Sequence, residues 1–298
     1  MLYVIDASYY VFRAWFSVPD DMQDKDGEMT NALYGFTRFL GDFLEYTRPE
    51  YVAVAFDTAL ETCFRNDIYP DYKANRDPAP PELKQQFDRC RQVTRAMGLR
   101  EYAHNRYEAD DIIGTLVSRM RFKGLRSTIL SKDKDLAQLL DAGDAMWDYT
   151  GGKKTAYKDV PAKYGVRADQ MVDFLALAGD SVDNIPGVRG VGPKTATGLL
   201  EFFGTMDAIY DRLDEVQHVN VRGAKTLATK LAKHREDAFL SRELSRIECD
   251  VPLDDGHDHE PADLRRDAPD LGSLNDLYDR ADFGLMLRRQ AERIAEHF

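Results

Sequence analysis

Carboxylate side chains follow three strand-like segments of this sequence. Asp6 and Asp57 each come directly after a short apolar run, LYVI and YVAVAF, and Asp133 and Asp135 follow a third run, STIL. Because ligands of open α/β sheets bind outside the carboxyl ends of the strands, we expect these side chains to meet at one edge. Carboxylate oxygens are the ligands that hard divalent cations such as Mg²⁺ prefer. The spacing therefore predicts a metal site.

Five further acidic residues join this set. Glu108, Asp110 and Asp111 open a predicted helix, where interaction with the helix dipole is a simpler explanation. Asp180 and Asp183 lie in LAGDSVDNIPG, where each alone is better explained by a turn or cap. Gathered together, however, all these carboxylates would repel one another strongly without cations. Two divalent ions roughly 4 Å apart can activate water and stabilise the leaving oxygen in phosphodiester hydrolysis, and the whole set favours that chemistry.

A glycine-rich segment, IPGVRGVGPKTATGLLEFFG at 185–204, lies between two predicted helices. Its glycines permit tight turns and a close approach to a ligand, and the following helix start offers free amides to phosphate. We expect a helix-hairpin-helix that contacts the DNA backbone without reading bases, a plain helical turn being the alternative. Basic residues could extend this contact, although a solvated helix face is an equal alternative for each of them: Arg189, Lys225, Lys230 and Lys233.

The elements that must position these residues alternate in the first half of the chain. The strand-like runs are 2–5, 51–56 and 127–130, and helical apolar spacing is found at about 30–46, 107–121 and from 133. Such alternation predicts βαβ units and a largely parallel sheet in an α/β domain over 1–168.

Two other segments depart from this alternation. Between 65 and 90, PDYKANRDPAPPELK combines four prolines with basic residues, which fits either an ordinary exposed loop or a functional, mobile one. From about 169 onward the spacing is helical, so we predict a helical lobe with a C-terminal tail over 169–298. Within it, DDGHDHEPAD is interpreted as a solvated linker and not as a metal site at His257 and His259.

Bulk composition sets further limits. The chain has 298 residues and a formal net charge of −12. This charge either argues against binding of nucleic acid or reflects acidic residues that are gathered around cations. Cys63, Cys90 and Cys249 lack CxxC spacing, so we expect reduced thiols instead of disulfides or a zinc site. With no long apolar window and no basic leader segment, we expect a cytoplasmic protein.

Several blocks of the sequence, taken in order, resemble the 5′-nuclease family, which includes flap endonucleases and the N-terminal 5′-3′ exonuclease domain of bacterial DNA polymerase I. The blocks are VIDAS, AFDTA, YKANR, YEADD, SKDKD, AGDSVDNIPGVRGVGPKTA and DVPLD, and they run from Leu2 to about Asp254. The resemblance implies a PIN-like α/β nuclease core with a mostly parallel sheet, a helical arch at about 65–90, and a helical lobe carrying the helix-hairpin-helix. It implies a 5′-3′ exonuclease and 5′-flap endonuclease of DNA replication or repair, either standalone or an excised polymerase domain.

The resemblance also assigns roles to residues. One divalent ion, Mg²⁺ or Mn²⁺, would be held by Asp6, Asp57, Glu108 and Asp110. A second would be held by Asp111, Asp133, Asp135, Asp180 and Asp183. Among the catalytic residues, Lys73 and Arg13 would contact the phosphate, and Tyr72 and Arg76 match the neighbours of Lys73 in the arch. The hairpin would bind the duplex backbone and K⁺ through Gly187, Arg189, Gly190, Gly192, Lys194 and Thr195. The implied partner is DNA with 5′ ends or 5′ flaps and adjoining duplex, bound by a monomer that has no membrane association.

One position departs from the family pattern. Where relatives usually have glycine after the threonine of the block GEMTNALYGF, this chain has Asn31, near the expected DNA junction. The departure bears on fine substrate preference and not on the metal site. Two alternatives remain at this point, a non-catalytic DNA-binding protein on the same fold and a PIN-like ribonuclease. The complete set of carboxylates favours an enzyme, and the glycine hairpin favours duplex DNA.

Overall fold

The computed structural model describes residues 1–58, 63–253 and 260–298, so His257 and His259 lie outside the described residues. A six-stranded sheet forms the centre of this part. Its strands are β1 (Leu2–Asp6), β2 (Tyr51–Phe56), β3 (Arg100–Ala103), β4 (Ser127–Leu130), β5 (Ala145–Asp148) and β6 (Lys153–Ala156). The order is β3-β2-β1-β4-β5-β6, and only β6 pairs antiparallel to its neighbour. The predicted mostly parallel α/β sheet is confirmed.

Helices surround this sheet and form the second half of the chain. They are α1 (Ala7–Ser17), α2 (Asn31–Thr47), α3 (Phe64–Ile68), α4 (Pro81–Ala96), α5 (Ala109–Phe122), α6 (Val160–Tyr164), α7 (Met171–Ala178), α8 (Pro193–Phe203), α9 (Met206–Asp211), α10 (Ala224–Lys233), α11 (Arg235–Ser245), α12 (Leu271–Arg280) and α13 (Leu285–Ala295). The helices predicted at about 30–46 and 107–121 are α2 and α5. The helix predicted from 133 is a 3₁₀ helix, Lys134–Leu139.

Three strands were not predicted from the sequence, namely β3, β5 and β6. Each has only four residues, and the side chains of β3 are partly or fully exposed. β3 and β6 are the edge strands and β5 lies next to β6; such short strands lack the continuous apolar run that marks a strand buried on both faces. Pairing with a neighbouring strand, which is a tertiary interaction, decides that they form.

Alternate side chains of the central strands enter two separate apolar cores. On β1, Val4 belongs to the core that contains α5, whereas Ile5 belongs to the core that contains α1, α2 and α4. On β2, Ala55 and Phe56 divide in the same way. Successive side chains of a strand point to opposite faces, so the sheet is covered by helices on both sides.

The second half of the chain forms the predicted helical lobe. Here α7 packs against α8 and α11, while α8 packs against α9. The buried Leu199 and Leu231 of this lobe belong to the same apolar core as Val4 and Leu116. The lobe therefore continues the core on the α5 side of the sheet and has no separate core of its own.

The C-terminal helices pack against the α/β core. The sequence analysis placed 169–298 in one lobe, but Leu274, Leu287 and Ile294 pack into the other core with α1, α2 and α4. Gln290 of α13 donates hydrogen bonds to Asp42 and Glu45 of α2. After the lobe the chain thus returns to the α/β core, where α12 and α13 cover the apolar faces of α4 and α2.

Neither long apolar helices nor disulfides are found in the described part. None of its helices is long and apolar enough to cross a bilayer. Cys63 and Cys90 are buried free thiols, and Cys249 is a partly buried one.

Candidate metal centre and nucleic-acid interface

Asp6 is fixed at the point where β1 becomes α1. One carboxylate oxygen accepts a hydrogen bond from the Tyr9 amide at 3.0 Å, which caps α1, and the other accepts one from the Ser131 hydroxyl at 2.8 Å. Burial raises the pKa of Asp6 to about 7, with the charges of Asp57 and Asp133 adding to the rise against those two hydrogen bonds. A bound cation would offset the repulsion between Asp6 and these neighbouring carboxylates.

Asp57 and Asp110 face the same place from β2 and α5. Asp57 accepts a hydrogen bond from the Ala109 amide at 2.8 Å, which ties the end of β2 to the start of α5. Burial raises the pKa of Asp57, and the charge of Glu108 raises it further. The Asp110 carboxylate has no hydrogen bond to other described residues. Burial, followed by the charges of Asp133 and Asp6, raises its pKa well above the ordinary value.

The segment after β4 contributes two more carboxylates. The Ser131 hydroxyl accepts a hydrogen bond from the Asp133 amide, and Asp133 accepts one from the Asp135 amide at 2.9 Å, which caps the following 3₁₀ helix. Burial and the charge of Asp133 raise the pKa of Asp135 to about 7, and the charge of Asp180 contributes as well. Asp133 therefore interacts with Asp110 and with Asp135, and Asp135 interacts in turn with the acids of the lobe.

Asp180 and Asp183 lie on the loop after α7 and are paired with basic residues. Lys134 donates to Asp180 at 2.6 Å, and although burial opposes it, this hydrogen bond leaves the pKa of Asp180 lowered. Asp183 forms ion pairs with Arg76 and, at 3.7 Å, with Lys73. The loop thus brings the second acidic group next to the segment predicted as an arch.

Asp111, which was predicted to bind the second ion, lies in a separate buried ion pair with Arg65. Its side chain is fully buried, and its two oxygens accept hydrogen bonds from both terminal nitrogens of Arg65 at 2.7 Å. The same oxygens accept from the amides of Glu108 and Glu248. Because α5 turns by about 100° per residue, Asp110 and Asp111 face in different directions.

Glu108 connects the acids to the segment 65–90. One of its oxygens accepts hydrogen bonds from Arg65 and Tyr72, and the other lies against the Lys73 ammonium. Burial opposes ionisation of Glu108, but the charges of Lys73 and Arg65 outweigh it, and its pKa is lowered. Three of the candidate catalytic residues, Lys73, Tyr72 and Arg76, therefore lie beside the acidic residues.

Lys73 itself has a strained backbone. Its φ of 56° lies in the left-handed region, and its amide donates to the Asp183 carbonyl oxygen at 3.0 Å. Such conformations are costly and cluster at functional sites. The segment 65–90 as a whole consists of α3, a series of turns and the first part of α4, and it joins the core to the loop after α7.

The glycine-rich segment forms a hairpin between α7 and α8, as a helix-hairpin-helix requires. Gly187 has a φ of 62° and lies against the backbone of Gly179, so that a Cβ there would overlap it. Gly190 also has a positive φ, of 84°. Gly192, at the start of α8, is exposed and extended, with open space where a Cβ would stand. Residues 192–194 at this helix start are exposed, so a phosphate can approach the backbone there.

The basic residues of the predicted interface have the exposure that contact with DNA requires. The side chains of Arg13 on α1, of Arg189 and Lys194 at the hairpin, and of Lys225 and Lys230 on α10 are exposed, while Thr195 is partly exposed. Lys233 is exposed as well. Asn31 is fully buried instead, where its amide donates to the Trp15 carbonyl oxygen and accepts from Gln86. Asn31 therefore connects α2 to α1 and α4 and is inaccessible to solvent.

Three supporting residues at this site were missed from the sequence: Arg65, Ser131 and Lys134. Arg65 lies in CFRND, a short stretch with no periodicity, and its partners are far away along the chain. Ser131 and Lys134 lie next to the acids in SKDKD. A hydroxyl or basic residue inside such an acidic block was the signal that could have indicated a supporting role.

The chemistry of these side chains fits divalent cations bound partly through water. Asp6, Asp57 and Asp110 are carboxylates whose hydrogen bonds, where present, come from neutral groups. In residues 1–58, 63–253 and 260–298, no group of three or more acidic, histidine or cysteine side chains is already arranged to hold a metal ion. Mg²⁺ keeps several waters and commonly binds through only one or two carboxylates, so an open acidic site of this kind suits it.

Two family models match the chain and together cover residues 1–271. The model described as "5′-3′ exonuclease, N-terminal resolvase-like domain" matches residues 1–165, and "5′-3′ exonuclease, C-terminal SAM fold" matches 166–271. The chain belongs to the 5′-3′ exonuclease family. The two models meet between the α/β core and the helical lobe.

Curated relatives of this 5′-3′ exonuclease family member are of two lengths. The 5′-3′ exonuclease of Aquifex aeolicus is 33% identical over 96% of this chain and 94% of its own length. DNA polymerase I of Rhizobium leguminosarum is 40% identical over 85% of this chain but only 25% of its own length. The chain thus spans about a quarter to a third of the DNA polymerase I relatives that it matches.

Known structures with the same fold include T5 5′-exonuclease and the catalytic core of Rad2. T5 5′-exonuclease with bound divalent metal ions (zinc) matches with a TM-score of 0.65 at 19% identity, over 99% of this chain and 98% of that one. The catalytic core of Rad2 in complex with DNA substrate matches with a TM-score of 0.64 at 14% identity, over 98% and 90%. At these identities the likeness establishes the shared fold alone.

Proposed function

We propose that this chain hydrolyses DNA phosphodiesters near 5′ ends, as a metal-dependent 5′-3′ exonuclease and 5′-flap endonuclease in DNA replication or repair. The observation that carries the proposal is the meeting of Asp6, Asp57 and Asp110, which are acids with raised pKa values, beside the Lys73 ammonium. Membership of the 5′-3′ exonuclease family supports the same activity.

The acidic residues divide into two candidate ion sites for Mg²⁺ or Mn²⁺. One would use Asp6, Asp57, Glu108 and Asp110, and the other would use Asp133, Asp135, Asp180 and Asp183. When bound, the two ions would supply an activated water and stabilise the leaving oxygen. Asp133 interacts electrostatically with members of both groups, which suits a shared edge between the two sites.

Basic side chains would stabilise charge on the phosphate. Lys73 stands between Glu108 and Asp183, so it delivers a positive charge to the place where the acids meet. Arg76 and Tyr72 adjoin it, and Arg13 on α1 would approach the phosphate from the exposed side of the core. The segment 65–90 would then act as the arch that guides a single-stranded 5′ end.

The helix-hairpin-helix would hold the adjoining duplex. Its exposed Gly192, Lys194 and Arg189 would contact the backbone of either strand without reading sequence. We also propose K⁺ at the hairpin turns, whose backbone carbonyl oxygens are suitable ligands for it. Because phosphate contacts release counterions, added salt would weaken this binding.

A labelled 5′-flap duplex tests the proposal. We expect cleavage with Mg²⁺, none with a chelator, and none from Asp57→Asn, whereas the control Asp276→Asn on the exposed face of α12 should cleave like wild type. Tight binding of the flap with no metal-dependent cleavage would instead favour a non-catalytic DNA-binding protein. Faster cleavage of a matched RNA flap would favour a ribonuclease.

A further inference from the structure

We propose that Arg65 is a positioning residue, which fixes Glu108 so that a single carboxylate oxygen faces the acidic site. The inference rests on the proposed function, since it concerns the same metal site. Arg65 lies on α3, at the start of the segment 65–90, and its side chain is only 3% exposed. None of its hydrogen bonds goes to Asp6 or Asp110, so any effect of Arg65 on metal binding has to act through its partners.

The Arg65 guanidinium uses all five of its N–H donors. Nε donates to the Leu244 carbonyl oxygen at 2.9 Å. Nη1 donates to Glu108 at 3.1 Å and to Asp111 at 2.7 Å. Nη2 donates to Asp111 at 2.7 Å and to the Arg246 carbonyl oxygen at 2.8 Å. A buried cation satisfied in every direction has no freedom to rotate, which makes it a rigid support.

This support holds Glu108 by one oxygen only. Oε2 accepts hydrogen bonds from Arg65 and, at 2.9 Å, from the Tyr72 hydroxyl, while Oε1 lies against the Lys73 ammonium on the side of the acidic site. With Oε2 engaged, Glu108 can offer only Oε1 to a cation. Arg65 therefore determines both the orientation of Glu108 and the number of oxygens that it can provide.

The same guanidinium joins the two halves of the molecule. Leu244 and Arg246 lie at the end of α11 in the helical lobe, whereas Glu108 and Asp111 begin α5 in the core. The loop with Asp180 and Asp183 follows α7, and α7 packs against α11 in the same lobe. Arg65 thus fixes Glu108 relative to the lobe that carries Asp180 and Asp183.

Lysine cannot reproduce this geometry, although it retains the charge. A planar guanidinium holds a carboxylate with two parallel bonds and reaches further partners with its remaining donors, whereas an ammonium is a compact point charge. With Arg65→Lys we expect the buried charges to stay compensated while Glu108 loses its fixed orientation. Metal affinity should fall by about 10-fold or more, the range found when residues that orient metal ligands are changed.

Arg121→Lys provides a matched control. Arg121 also forms an ion pair with a buried aspartate, Asp144, at 2.6 Å, and also donates to a carbonyl oxygen. Asp144 binds the amide of Ser127 at the start of β4, so this pair lies at the amino edge of the sheet, opposite the acidic site. The same chemical change is therefore made in a similar ion pair away from Glu108.

The experiment measures Mg²⁺ binding to the full chain by calorimetry without DNA, the Mg²⁺ concentration for half-maximal flap cleavage, and thermal unfolding. We expect both variants to lose stability, but only Arg65→Lys to need about 10-fold more Mg²⁺ in both assays. If the two variants lose stability alike and Arg65→Lys binds Mg²⁺ as tightly as wild type, Arg65 is only a structural residue and the inference fails.

Two further variants keep the inference testable if Arg65→Lys does not fold. Tyr72→Phe removes the other donor to Oε2 and should shift Mg²⁺ binding in the same direction by a smaller factor. In a Glu108→Gln background, Tyr72→Phe should have no further effect on Mg²⁺ binding, because it acts through Glu108. A full effect in that background would overturn the inference.

The outcome separates this inference from the proposed function. If wild type binds Mg²⁺ and Arg65→Lys weakens that binding, the inference stands even when no flap is cleaved. If wild type cleaves flaps and Arg65→Lys has an unchanged Mg²⁺ requirement, the proposed function stands and the inference fails.

Discussion

Asp110 and Asp111 are neighbours in the sequence with different surroundings. Asp110 meets the charges of Asp133, Asp6 and Asp57, while Asp111 is neutralised by Arg65 inside the protein. The two side chains diverge because successive residues of a helix point in different directions. A cluster of acids in a sequence therefore need not be a single site.

These different surroundings predict that replacing aspartate with asparagine has different effects on stability at the two positions. Asp110→Asn removes repulsion and a candidate ligand, so we expect unchanged or higher stability and at least a 10- to 100-fold loss of Mg²⁺-dependent cleavage. Asp111→Asn breaks a buried ion pair and should cost about 3 kcal/mol of unfolding free energy. Denaturant unfolding and flap cleavage of both variants provide the measurements. Equal destabilisation by the two substitutions would contradict the assignment.

Asp6 predicts a pH dependence of stability. Its pKa is raised from 3.8 to about 7, so the folded state holds a proton that the unfolded state releases. The resulting stabilisation is fully present below pH 3.8 and is lost as the pH rises through about 7. Its size is on the order of 4 kcal/mol, since each pKa unit corresponds to about 1.4 kcal/mol.

Thermal unfolding in chelator at pH 5 and pH 8 tests this effect. Asp6→Asn keeps the cap of α1, because asparagine is as good an N-cap as aspartate, but it does not titrate. We expect the loss of stability between these pH values to be smaller in Asp6→Asn than in wild type. Added Mg²⁺ at pH 8 should raise the melting temperature of wild type more than that of the variant. Identical pH profiles would rule out Asp6 as the source.

At the scale of elements, the hairpin between α7 and α8 uses its glycines for two purposes. Gly187 provides a left-handed turn against the Gly179 backbone and is buried, whereas Gly192 leaves open space at the exposed start of α8. The first glycine therefore serves the fold, and the second is available to a ligand.

Substitution by alanine should separate these two purposes. Gly187→Ala introduces both backbone strain and overlap, and should destabilise the protein by about 1–3 kcal/mol. Gly192→Ala should leave the melting temperature unchanged and weaken duplex binding by about ten-fold, equivalent to about 1.4 kcal/mol, because a methyl group blocks close approach of the phosphate backbone. Unfolding curves and titration with labelled duplex measure the two effects. Unchanged affinity of Gly192→Ala would show that DNA does not approach there.

At the scale of the whole molecule, the sheet is enclosed from both sides by parts of the chain that are distant in sequence. The helical lobe completes the core on the α5 side, and α12 and α13 complete the core on the side of α1, α2 and α4. The acidic site lies at the edge between these layers, so the C-terminal helices stabilise the sheet without contributing to the site.

A cavity in the C-terminal layer should therefore reduce stability alone. Leu274 of α12 is 1% exposed and packs in the core with α2 and α4. We expect Leu274→Ala to cost about 2–5 kcal/mol of unfolding free energy and to leave the Mg²⁺ concentration for half-maximal cleavage unchanged below its melting temperature. A shifted Mg²⁺ requirement would mean that this layer positions the acids after all.

Local pattern determined the parts of this protein that depend on neighbouring residues. The apolar runs before Asp6, Asp57 and Asp133 predicted β1, β2 and β4, and parallel pairing then required their carboxyl ends to share one edge. The glycines between two helical patterns predicted the hairpin. These features follow from the sequence because strand and helix periodicity and the freedom of glycine act over a few residues.

Tertiary structure alone decided the partners of individual side chains and the places of weakly patterned segments. Asp111 pairs with Arg65 across 46 positions, and Arg65 meets the carbonyl oxygen of Leu244 across 179. The short edge strands and the return of α12 and α13 to the core depend on surfaces that distant elements present. Such contacts bring together residues whose separation in the sequence carries no periodic signal. Only the folded chain therefore reveals that Asp111 is enclosed in a buried ion pair with Arg65, whereas its neighbour Asp110 meets the charges of Asp133, Asp6 and Asp57.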